Sequence, residues 1–389
     1  MPALNRIADF ADTLTEWRRH LHQHPELGFE CHETAAFVVA RLKEFGVDEI
    51  HEGIAKTGVV AIINGQADGP TIGLRADMDA LPMDEHPGAE YASTVPGKMH
   101  ACGHDGHTVM LLGAAKYLTE TRNFKGRVAL IFQPAEEGGG GGNVMVQEGM
   151  MDRFDIAQVF AMHNSPDLEA GLLHTRPGPL MAGVAEFKIT VKGKGGHGAM
   201  PHSCVDPIAA AMQIGTAIHT IVARNTDPLD NLVISLTMIE AGSATNIIPE
   251  IATMQGTVRH FRPEVQDMAE ARIKAICDGT ATAMGVEATL EFKREYPPTI
   301  NHADQTEFAA QVAEELVGPE NTSREADMIM AAEDFSYMLE KRPGAYLFLG
   351  TGEGAGLHHP EYDFNDEIAP LGASFFARIV ERAQPAGGK

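Results

Sequence analysis

The amino-acid sequence predicts an α/β chain in which a domain with a mostly parallel central sheet is interrupted by an inserted α+β domain. In the first part of the chain, short apolar runs alternate with segments of helical periodicity, which favours parallel strands joined by helices. From about residue 183, strand-like runs alternate apolar with charged residues, as in a sheet with one face open to water. The length of 389 residues also exceeds what one ordinary core fills, so two domains are expected.

The first domain begins with two predicted helices. Residues 3–24 have a helical pattern that ends before Pro25, because a proline disfavours the helical conformation in the residue before it. A second helix begins near Glu33 and ends at Gly46, a residue type that suits the left-handed position after a helix. A further helix is predicted at 105–121, and apolar runs predict central strands at 58–64, 71–76, 128–132 and 157–162.

The inserted domain is predicted to span residues 184–298. Its alternating strands lie at 186–192, 232–239, 252–258 and 286–292, and its two helices at about 206–223 and 263–284. Two helices on one face of an antiparallel sheet make a compact α+β unit. Pro297-Pro298 indicates the return to the first domain, which therefore comprises 1–183 and 299–389 and resumes with helix, strand and helix at 305–317, 345–349 and 369–382.

Composition and charge exclude several functional classes. The chain has 54 acidic and 30 basic residues and a formal net charge of -24, which argues against nucleic acids and anionic membranes as partners. Four cysteines in a chain of this size do not form a disulfide framework, and a reducing compartment fits them. The charged N-terminal segment lacks the apolar core of a signal peptide, and no apolar run could span a bilayer. A soluble, cytoplasmic protein is therefore expected.

Two short motifs carry residue types that bind metal ions. Cys102 and His104 are separated only by Gly103, whose backbone freedom allows a thiolate and an imidazole to face one point. Both are good ligands for a borderline-soft divalent ion. The adjacent carboxylates Glu136 and Glu137 follow the predicted strand 128–132, and open α/β sheets place their sites beyond strand ends. One glutamate can bind metal while its neighbour acts as a general base.

Two further histidines occupy similar positions, His163 after a predicted strand and His358 in a glycine-rich loop. Each alone is more often structural than a ligand. Together with the candidate ligands of the two motifs, these histidines make a set of five. Five ligands are too many for one tetrahedral ion with an open position and instead fit two ions that share a water molecule. The five candidate ligands are Cys102, His104, Glu137, His163 and His358.

Other histidines are not expected to bind metal. His20, His22 and His24 alternate along a predicted helix, where residues two apart diverge, so surface or packing positions are expected. His100 and His107 lie close to the candidate ligands and are expected to support them rather than to bind metal themselves.

Taken together, these residues resemble the M20 metallopeptidases, in particular the amidohydrolase branch that contains hippurate hydrolases, N-acyl-amino-acid deacylases and auxin-conjugate hydrolases. The resemblance covers nearly the whole chain. Its anchors are Arg18-Arg19 through Gly28, Arg75 to Asp79, Met99 to His107, Gln133 to Glu137, Met162-His163-Asn164, Gly196 to Ala199, Asn246 to Pro249, Glu333-Asp334-Phe335 and Leu357-His358.

The resemblance implies two divalent ions per subunit, whether manganese, zinc, cobalt or nickel, bound by the five candidate ligands. It implies that Glu136 is the general base and that Asp79 supports the site. The wider family has a metal-binding histidine where Asp77 stands, so Asp77 is not expected to be a ligand. The inserted domain would be a lid and dimerisation domain that forms a homodimer or a dimer of dimers. Three of its residues match functional positions: His197, which would reach a neighbouring subunit's site, and Asn246 and Arg259, which would hold substrate.

The predicted activity is metal-dependent hydrolysis of the amide bond of N-acyl amino acids, such as hippurate or N-acetyl-amino acids. One alternative is a dipeptidase or carboxypeptidase that uses the same machinery. Another is a catalytically silent binder of amino-acid derivatives. Glu136 argues against a silent binder, because a binder needs no base beside its metal ligand.

Overall fold

The computed structural model describes residues 1–86 and 88–386, so residues 387–389 of the predicted segment 299–389 lie outside the described part. The chain divides into two compact units. The first unit comprises Met1–Leu180, Ile300–Asp327 and Asp334–Lys389. The second unit comprises Met181–Thr299 and Met328–Glu333.

The helices and strands follow one another along three segments of the chain. The first segment contains α1 (Asn5–Ala8), α2 (Ala11–Gln23), α3 (His32–Phe45), β1 (Glu49–Ile54), β2 (Gly58–Asn64), β3 (Thr71–Asp77), α4 (His104–Thr121), β4 (Arg127–Gln133), α5 (Gly141–Gln147), α6 (Met150–Arg153), β5 (Ile156–Ser165), β6 (Leu173–His174) and β7 (Gly178–Met181). The second contains β8 (Gly183–Lys192), β9 (Gly196–His197), α7 (Pro207–Ile218), α8 (Thr220–Arg224), β10 (Leu232–Ala241), β11 (Ile247–Ile248), β12 (Ile251–His260), α9 (Pro263–Met284) and β13 (Glu287–Arg294). The third contains β14 (Thr299–Asn301), α10 (Ala303–Val317), β15 (Thr322–Ser323), α11 (Ser336–Leu339), β16 (Gly344–Gly350) and α12 (Ala369–Ala383). Short 3-10 helices lie at Pro201–Ser203, Pro319–Asn321 and Asp366–Ile368.

An eight-stranded sheet of order β1-β2-β4-β3-β5-β16-β6-β15 forms the centre of the first unit. The central strands β4, β3, β5 and β16 are parallel to one another. At one edge of the sheet, β2 pairs antiparallel with β4, and β1 pairs antiparallel with β2. The predicted α/β class with a mostly parallel central sheet is therefore confirmed. Because the four central strands end at the same edge of the sheet, the segments that follow them meet there.

Helix α4 is largely buried and packs against α2, α3 and α12. Its contact with α12 depends on small residues. A Cβ atom added at Gly372 would lie 2.0 Å from the Met110 sulfur, and one added at Gly113 would lie 2.9 Å from the Ala373 Cβ. Close packing of this kind leaves α4 little freedom to move, so the first residue of α4, His104, has a fixed position.

The second unit contains a four-stranded antiparallel sheet of order β10-β12-β8-β13. Alternate residues of β8 are buried, and these pack with residues of α7 and α9 in a separate apolar core. The opposite face of β8 carries polar side chains, as the alternating pattern predicted. A two-stranded ribbon, β9 with β11, places His197 opposite Ile247.

Some local expectations were wrong. The single helix expected at 3–24 is two helices, α1 and α2, and the helix expected at 206–223 is also divided, into α7 and α8. His163 and Arg259 lie inside strands β5 and β12 rather than just after them.

Among the described residues, no helix is long and apolar enough to cross a lipid bilayer.

Candidate metal centre and active site

The backbone at Gly103 determines how Cys102 and His104 face each other. Gly103 has a φ of 88°, and a Cβ atom there would lie 2.3 Å from the Asn164 Oδ1 atom. Only glycine combines this left-handed conformation with so close an approach. The Cys102 Sγ atom lies 3.4 Å from the His163 Nε2 atom. Gly103 thereby allows two candidate ligands from distant parts of the chain to meet.

The orientation of His104 is fixed by a hydrogen bond to the main chain. The His104 Nδ1 atom donates to the carbonyl oxygen of Asp79 at 2.8 Å. Its Nε2 atom is buried, has no hydrogen-bond partner among the described residues, and lies 3.8 Å from the Glu137 Oε1 atom. An imidazole that is held through one ring nitrogen can present the other ring nitrogen to a metal ion, as metal-binding histidines do.

The carboxylate of Asp79 holds the segment that carries the two glutamates. It accepts the main-chain N–H of Glu136 at 2.9 Å and that of Glu137 at 3.1 Å. The preceding Ala135 has a φ of 58°, a left-handed conformation that is uncommon for a residue with a Cβ atom. Asp79 therefore supports both the strained turn after β4 and, through its carbonyl oxygen, His104.

His163 is buried near the end of β5. Its Nδ1 atom donates to the main-chain oxygen of Asn164 at 2.7 Å, which leaves Nε2 without a proton and facing Cys102. Burial and the neighbouring His107 lower the pKa of His163 to about 3. His163 is therefore neutral at ordinary pH, which is the form that binds metal.

His358 lies in the loop after β16 and is the most exposed of the candidate ligands. It has a φ of 61°, and its main-chain N–H donates to the carbonyl oxygen of Ala101 at 2.8 Å. Its Nε2 atom lies 3.5 Å from the Glu137 Oε1 atom. The strained backbone and the bond to the segment before Cys102 hold this half-exposed imidazole at the cluster.

All five predicted ligands and Glu136 are brought together in the first unit. Their donor atoms form three overlapping groups, each within 4.8 Å: Cys102 with His104 and His163, Cys102 with Glu137 and His358, and His104 with Glu136 and Glu137. The Glu137 Oε1 atom, like the His104 Nε2 atom, is buried without a hydrogen-bond partner among the described residues. A buried polar atom without a partner destabilises a protein. These two atoms therefore fit a site that binds positive ions.

The protonation chemistry of the cluster also fits divalent cations. Burial, together with Glu137 and Glu136, raises the pKa of the Cys102 thiol well above its ordinary value. Burial opposes a proton on His104, but Asp77, Asp79 and Glu137 outweigh it and raise the His104 pKa to about 10. A site that favours positive charge this strongly accepts a metal ion in place of protons, and the ion in turn favours the thiolate.

Asp77 and His107 are close to the cluster, but their polar atoms are already used. The Asp77 Oδ2 atom lies 2.5 Å from an Arg75 guanidinium nitrogen, and Oδ1 lies 2.6 Å from the His107 Nδ1 atom. The other ring nitrogen of His107 faces Asn164. Asp77 and His107 also form, with His104, a group of donor atoms within 4.8 Å of one another, so their exclusion as ligands stays a prediction.

The remaining predicted site residues lie in the second unit. His197 is exposed in β9, and the carbonyl oxygen of Asn246 accepts the N–H of Gly198 at 2.8 Å, so His197 and Asn246 belong to one ribbon. Arg259 lies in β12, opposite Val184 of β8, and is not part of that ribbon.

The structure also reveals supporting residues to which the sequence analysis gave no role. Asn164 and Tyr362 are buried and hydrogen-bonded to each other at 2.7 Å. The Gln133 amide donates to Asp334 at 2.7 Å and accepts from Arg75 at 2.9 Å. Four of these five residues occur in the motifs that carried the family resemblance, and Tyr362 lies shortly after one of them. The partners of each are distant in sequence, so the motifs alone could not show these contacts.

Comparison with known proteins identifies the family. A model of peptidase family M20/M25/M40 matches residues 73–382. The hippurate hydrolase of Campylobacter jejuni is 41% identical over 98% of this chain and 99% of that protein. The N-acetyl-L-cysteine deacetylase of Bacillus subtilis is 42% identical over 92% of this chain and 85% of that protein. Thermostable carboxypeptidase 1 of Saccharolobus solfataricus is 39% identical over 97% of this chain and 96% of that protein.

A solved structure gives the same answer. The YXEP protein of Bacillus subtilis, described as a dinuclear metal binding peptidase from the M20 family, is 35% identical with a TM-score of 0.86. The match covers 97% of this chain and 99% of that chain. Since sequence and fold agree over nearly the full length, the chain belongs to peptidase family M20/M25/M40, as a metal-dependent hydrolase of its amidohydrolase branch.

Proposed function

We propose that this chain hydrolyses the amide bond of N-acyl amino acids, of the hippurate or N-acetyl-amino-acid type, and releases a carboxylic acid and a free amino acid. The hippurate hydrolase and the N-acetyl-L-cysteine deacetylase that it resembles are named for cleavage of such bonds. The observation that carries the proposal is the cluster of five metal-ligand side chains beside Glu136 in the first unit.

The proposed cofactor is a pair of divalent ions. When bound, the ions would polarise the scissile carbonyl group and lower the pKa of a water molecule. The thiolate favours zinc or cobalt, whereas the carboxylate and imidazoles also suit manganese and nickel. The residues that would hold the ions are Cys102, His104, Glu137, His163 and His358.

In this proposal Glu136 is the general base. One of its carboxylate oxygens lies within 4.8 Å of the donor atoms of His104 and Glu137, so Glu136 would lie close to a water molecule activated at this site. It would take a proton from that water and later give it to the leaving amine. Asp79 is a positioning residue, because it fixes the main chain of Glu136 and Glu137 and the ring of His104.

Arg259 is proposed to bind the free carboxylate of the substrate. Its side chain is partly buried and forms no hydrogen bond or ion pair with any described residue. Burial lowers its pKa and Glu186 opposes this only by charge at a distance. Partial burial of an unpaired guanidinium is unfavourable, so an anionic partner would stabilise it, and a carboxylate matches its fork of donors.

His197 and Asn246 are proposed to complete the active site from a partner subunit. Ile247 in their ribbon is 51% exposed, and Met200 and Ile251, which lie close to the ribbon in the sequence, are 55% and 49% exposed. Exposed apolar residues close together favour contact with another protein surface. His197 would then stabilise the oxyanion that develops at the scissile carbonyl.

The second unit is proposed to form the dimer as the lid and dimerisation domain. Strand β10 is at the edge of its sheet, so its outer N–H and C=O groups lack a neighbouring strand. Met238 and Ile239 on this strand are exposed. An apolar edge strand is a template for pairing with a second copy.

Cytoplasmic location remains a prediction from composition.

A carboxypeptidase is the second candidate function, because a carboxypeptidase is among the close relatives. The test is a comparison of kcat/KM for N-benzoyl and N-acetyl amino acids against unblocked dipeptides that share the same C-terminal residue. The proposal predicts faster cleavage of the N-acyl amino acids, and loss of that cleavage after chelation of metal ions. Faster cleavage of dipeptides would favour the carboxypeptidase, and no cleavage of either in metal-loaded protein would contradict both.

A further inference from the structure

Asn164 lies at the junction of three segments that carry proposed metal ligands. Its carbonyl oxygen accepts the hydrogen bond from the Nδ1 atom of His163 at 2.7 Å. Its side chain lies against Gly103, the residue that separates Cys102 from His104 in the sequence. The contact is so close that a Cβ atom would not fit at Gly103. Its Nδ2 atom donates to the hydroxyl group of Tyr362 at 2.7 Å. One asparagine therefore contacts the ligand segments of β5, α4 and the His358 loop.

A buried chain of polar groups holds this asparagine in place. The His107 Nε2 atom lies 2.6 Å from the Asn164 Oδ1 atom and 3.1 Å from its main-chain nitrogen. The other ring nitrogen of His107 is bonded to Asp77, which is in turn bonded to Arg75. Asp77, His107 and Asn164 are each at most 1% exposed, so water does not compete for these bonds.

Tyr362 extends the chain of contacts to the most exposed ligand. Its main-chain N–H donates to the carbonyl oxygen of His359 at 2.9 Å, so the segment after His358 turns back on itself. Burial of the ring anchors this turn, and the bond from Asn164 fixes the hydroxyl group. A displacement of Asn164 would therefore affect His358 as well as His163.

We propose that Asn164 is the positioning residue of the metal centre, and that His107 acts on the metal ligands through Asn164 rather than as a ligand itself. The inference rests on the proposed metal-dependent function. Residues that orient metal ligands typically contribute about 10–100-fold to metal affinity. Removal of the Asn164 side chain is therefore expected to weaken metal binding and alter its geometry, although every ligand side chain remains.

The test is Co²⁺ binding to metal-free protein, measured by calorimetry and by the visible spectrum of the bound ion. Asn164→Ser keeps the main-chain bond to His163 and removes the side-chain contacts. Its matched control is Asn301→Ser, because Asn301 is also buried in the first unit and makes several side-chain hydrogen bonds away from the cluster. A milder pair is Tyr362→Phe with Tyr117→Phe, since the Tyr117 hydroxyl group bonds to Glu381.

We expect Asn164→Ser to weaken Co²⁺ affinity by about 10–100-fold and to shift the absorption bands, whereas Asn301→Ser leaves both unchanged. Tyr362→Phe should give a smaller shift of the same kind, and Tyr117→Phe none. If His107 acts through Asn164, the double variant His107→Gln/Asn164→Ser should bind Co²⁺ as Asn164→Ser does.

Several outcomes would overturn the inference. Unchanged affinity and spectrum in Asn164→Ser, or equal losses in Asn164→Ser and Asn301→Ser, would show that Asn164 does not position the ligands. A double variant much weaker than Asn164→Ser would show that His107 acts by another route. Absence of Co²⁺ binding in the unmutated protein would contradict the proposed function itself, and the inference with it.

Discussion

Glu136 and Glu137 are chemically identical neighbours, but their surroundings differ. The Glu137 carboxylate lies against His358 and His104. Burial opposes its negative charge, but the neighbouring imidazoles of His358 and His104 lower the pKa of Glu137 overall. A carboxylate that stays ionised between two imidazoles is suited to bind metal. Glu136 is held at the same turn by its main-chain N–H, and we propose that it is the base.

Glu136→Gln is expected to retain the metal ions and the fold and to lose turnover, because only the proton-transfer group is removed. General acid–base catalysis typically contributes about 10²–10⁴-fold, so kcat should fall by that factor. Steady-state kinetics with measured metal content checks this. Glu26→Gln is the control, because Glu26 accepts main-chain N–H groups of α3 away from the cluster. Normal turnover in Glu136→Gln would exclude Glu136 as the base.

The proposed role of Arg259 predicts selectivity for substrates with a free carboxylate. N-acyl amino acids should be cleaved well, and their amides or methyl esters poorly. Arg259→Ala should lower kcat/KM for the free acid by about 10–100-fold, since hydrogen bonds to charged groups contribute about 1.5–3 kcal/mol, and should affect the amide little. Arg294→Ala, which removes a guanidinium paired with Asp267 and Glu270 in the same unit, should affect neither. Equal kcat/KM for acid and amide in the unmutated enzyme would refute the carboxylate clamp.

At the residue scale, motif chemistry predicted which side chains the structure brings together but not what holds them. Cys102 and His104 were recognisable because their spacing is local. The contact between His107 and Asn164 joins residues 57 apart in sequence, so only the fold creates it. Tyr362 was not singled out, because a lone tyrosine after a histidine-rich loop has no distinctive spacing.

At the scale of elements, α2 is tied to the start of α4 by buried charges. The guanidinium of Arg18 bonds to Asp366 at 2.6 Å and lies 3.8 Å from Asp105, the residue after His104. The His22 Nδ1 atom bonds to Asp105 at 2.8 Å, and its Nε2 atom lies 3.3 Å from Glu85. The N-terminal motif therefore stabilises the helix that carries His104.

This connection predicts a pH dependence of stability. Burial opposes protonation of His22, but Asp105 and Glu85 outweigh it and raise its pKa to about 9, above the ordinary value of 6.5. Because the folded-state pKa is the higher one, the stabilisation is complete below about pH 6.5 and is lost as pH rises through about 9. A shift of this size corresponds to about 3 kcal/mol.

His22→Gln should therefore be destabilised relative to the unmutated protein at pH 6, and the difference should shrink above pH 9, as followed by urea denaturation. His24→Gln, at an exposed site just after the same helix, controls for loss of a histidine. A difference that stays constant across this pH range would show that protonated His22 does not contribute.

Most elements could be predicted from periodicity, and the exceptions have physical causes. The strand β2 and helix α9 have the expected bounds, because long uniform patterns are unambiguous. The break between α1 and α2 was invisible, since the buried Ile7, Phe10 and Leu14 continue the helical spacing across it. Strand β1 was missed because it is an edge strand with mostly exposed or half-buried residues, so its pattern has no clear apolar alternation.

At the scale of the whole molecule, the proposed dimer predicts complementation between inactive variants. His197→Ala and Glu136→Gln should each be inactive alone. If His197 acts on a partner's site, mixing the two should restore part of the activity, because one site in each hybrid dimer has both residues. The control is a mixture of Glu136→Gln with Glu137→Gln, both of which alter the same unit. Absence of recovery, with subunit exchange confirmed by mass, would show that His197 does not act in trans.

The central claim is that Cys102, His104, Glu137, His163 and His358 form a metal centre that hydrolyses N-acyl amino acids. Titration of metal-free protein with Co²⁺, with hydrolysis of an N-acyl amino acid measured at each addition, tests it most directly. We expect no activity before the first addition and a plateau at two ions per subunit, with the plateau lost in Cys102→Ala. Full activity in metal-free protein, or metal binding without any hydrolysis of N-acyl amino acids, would contradict it.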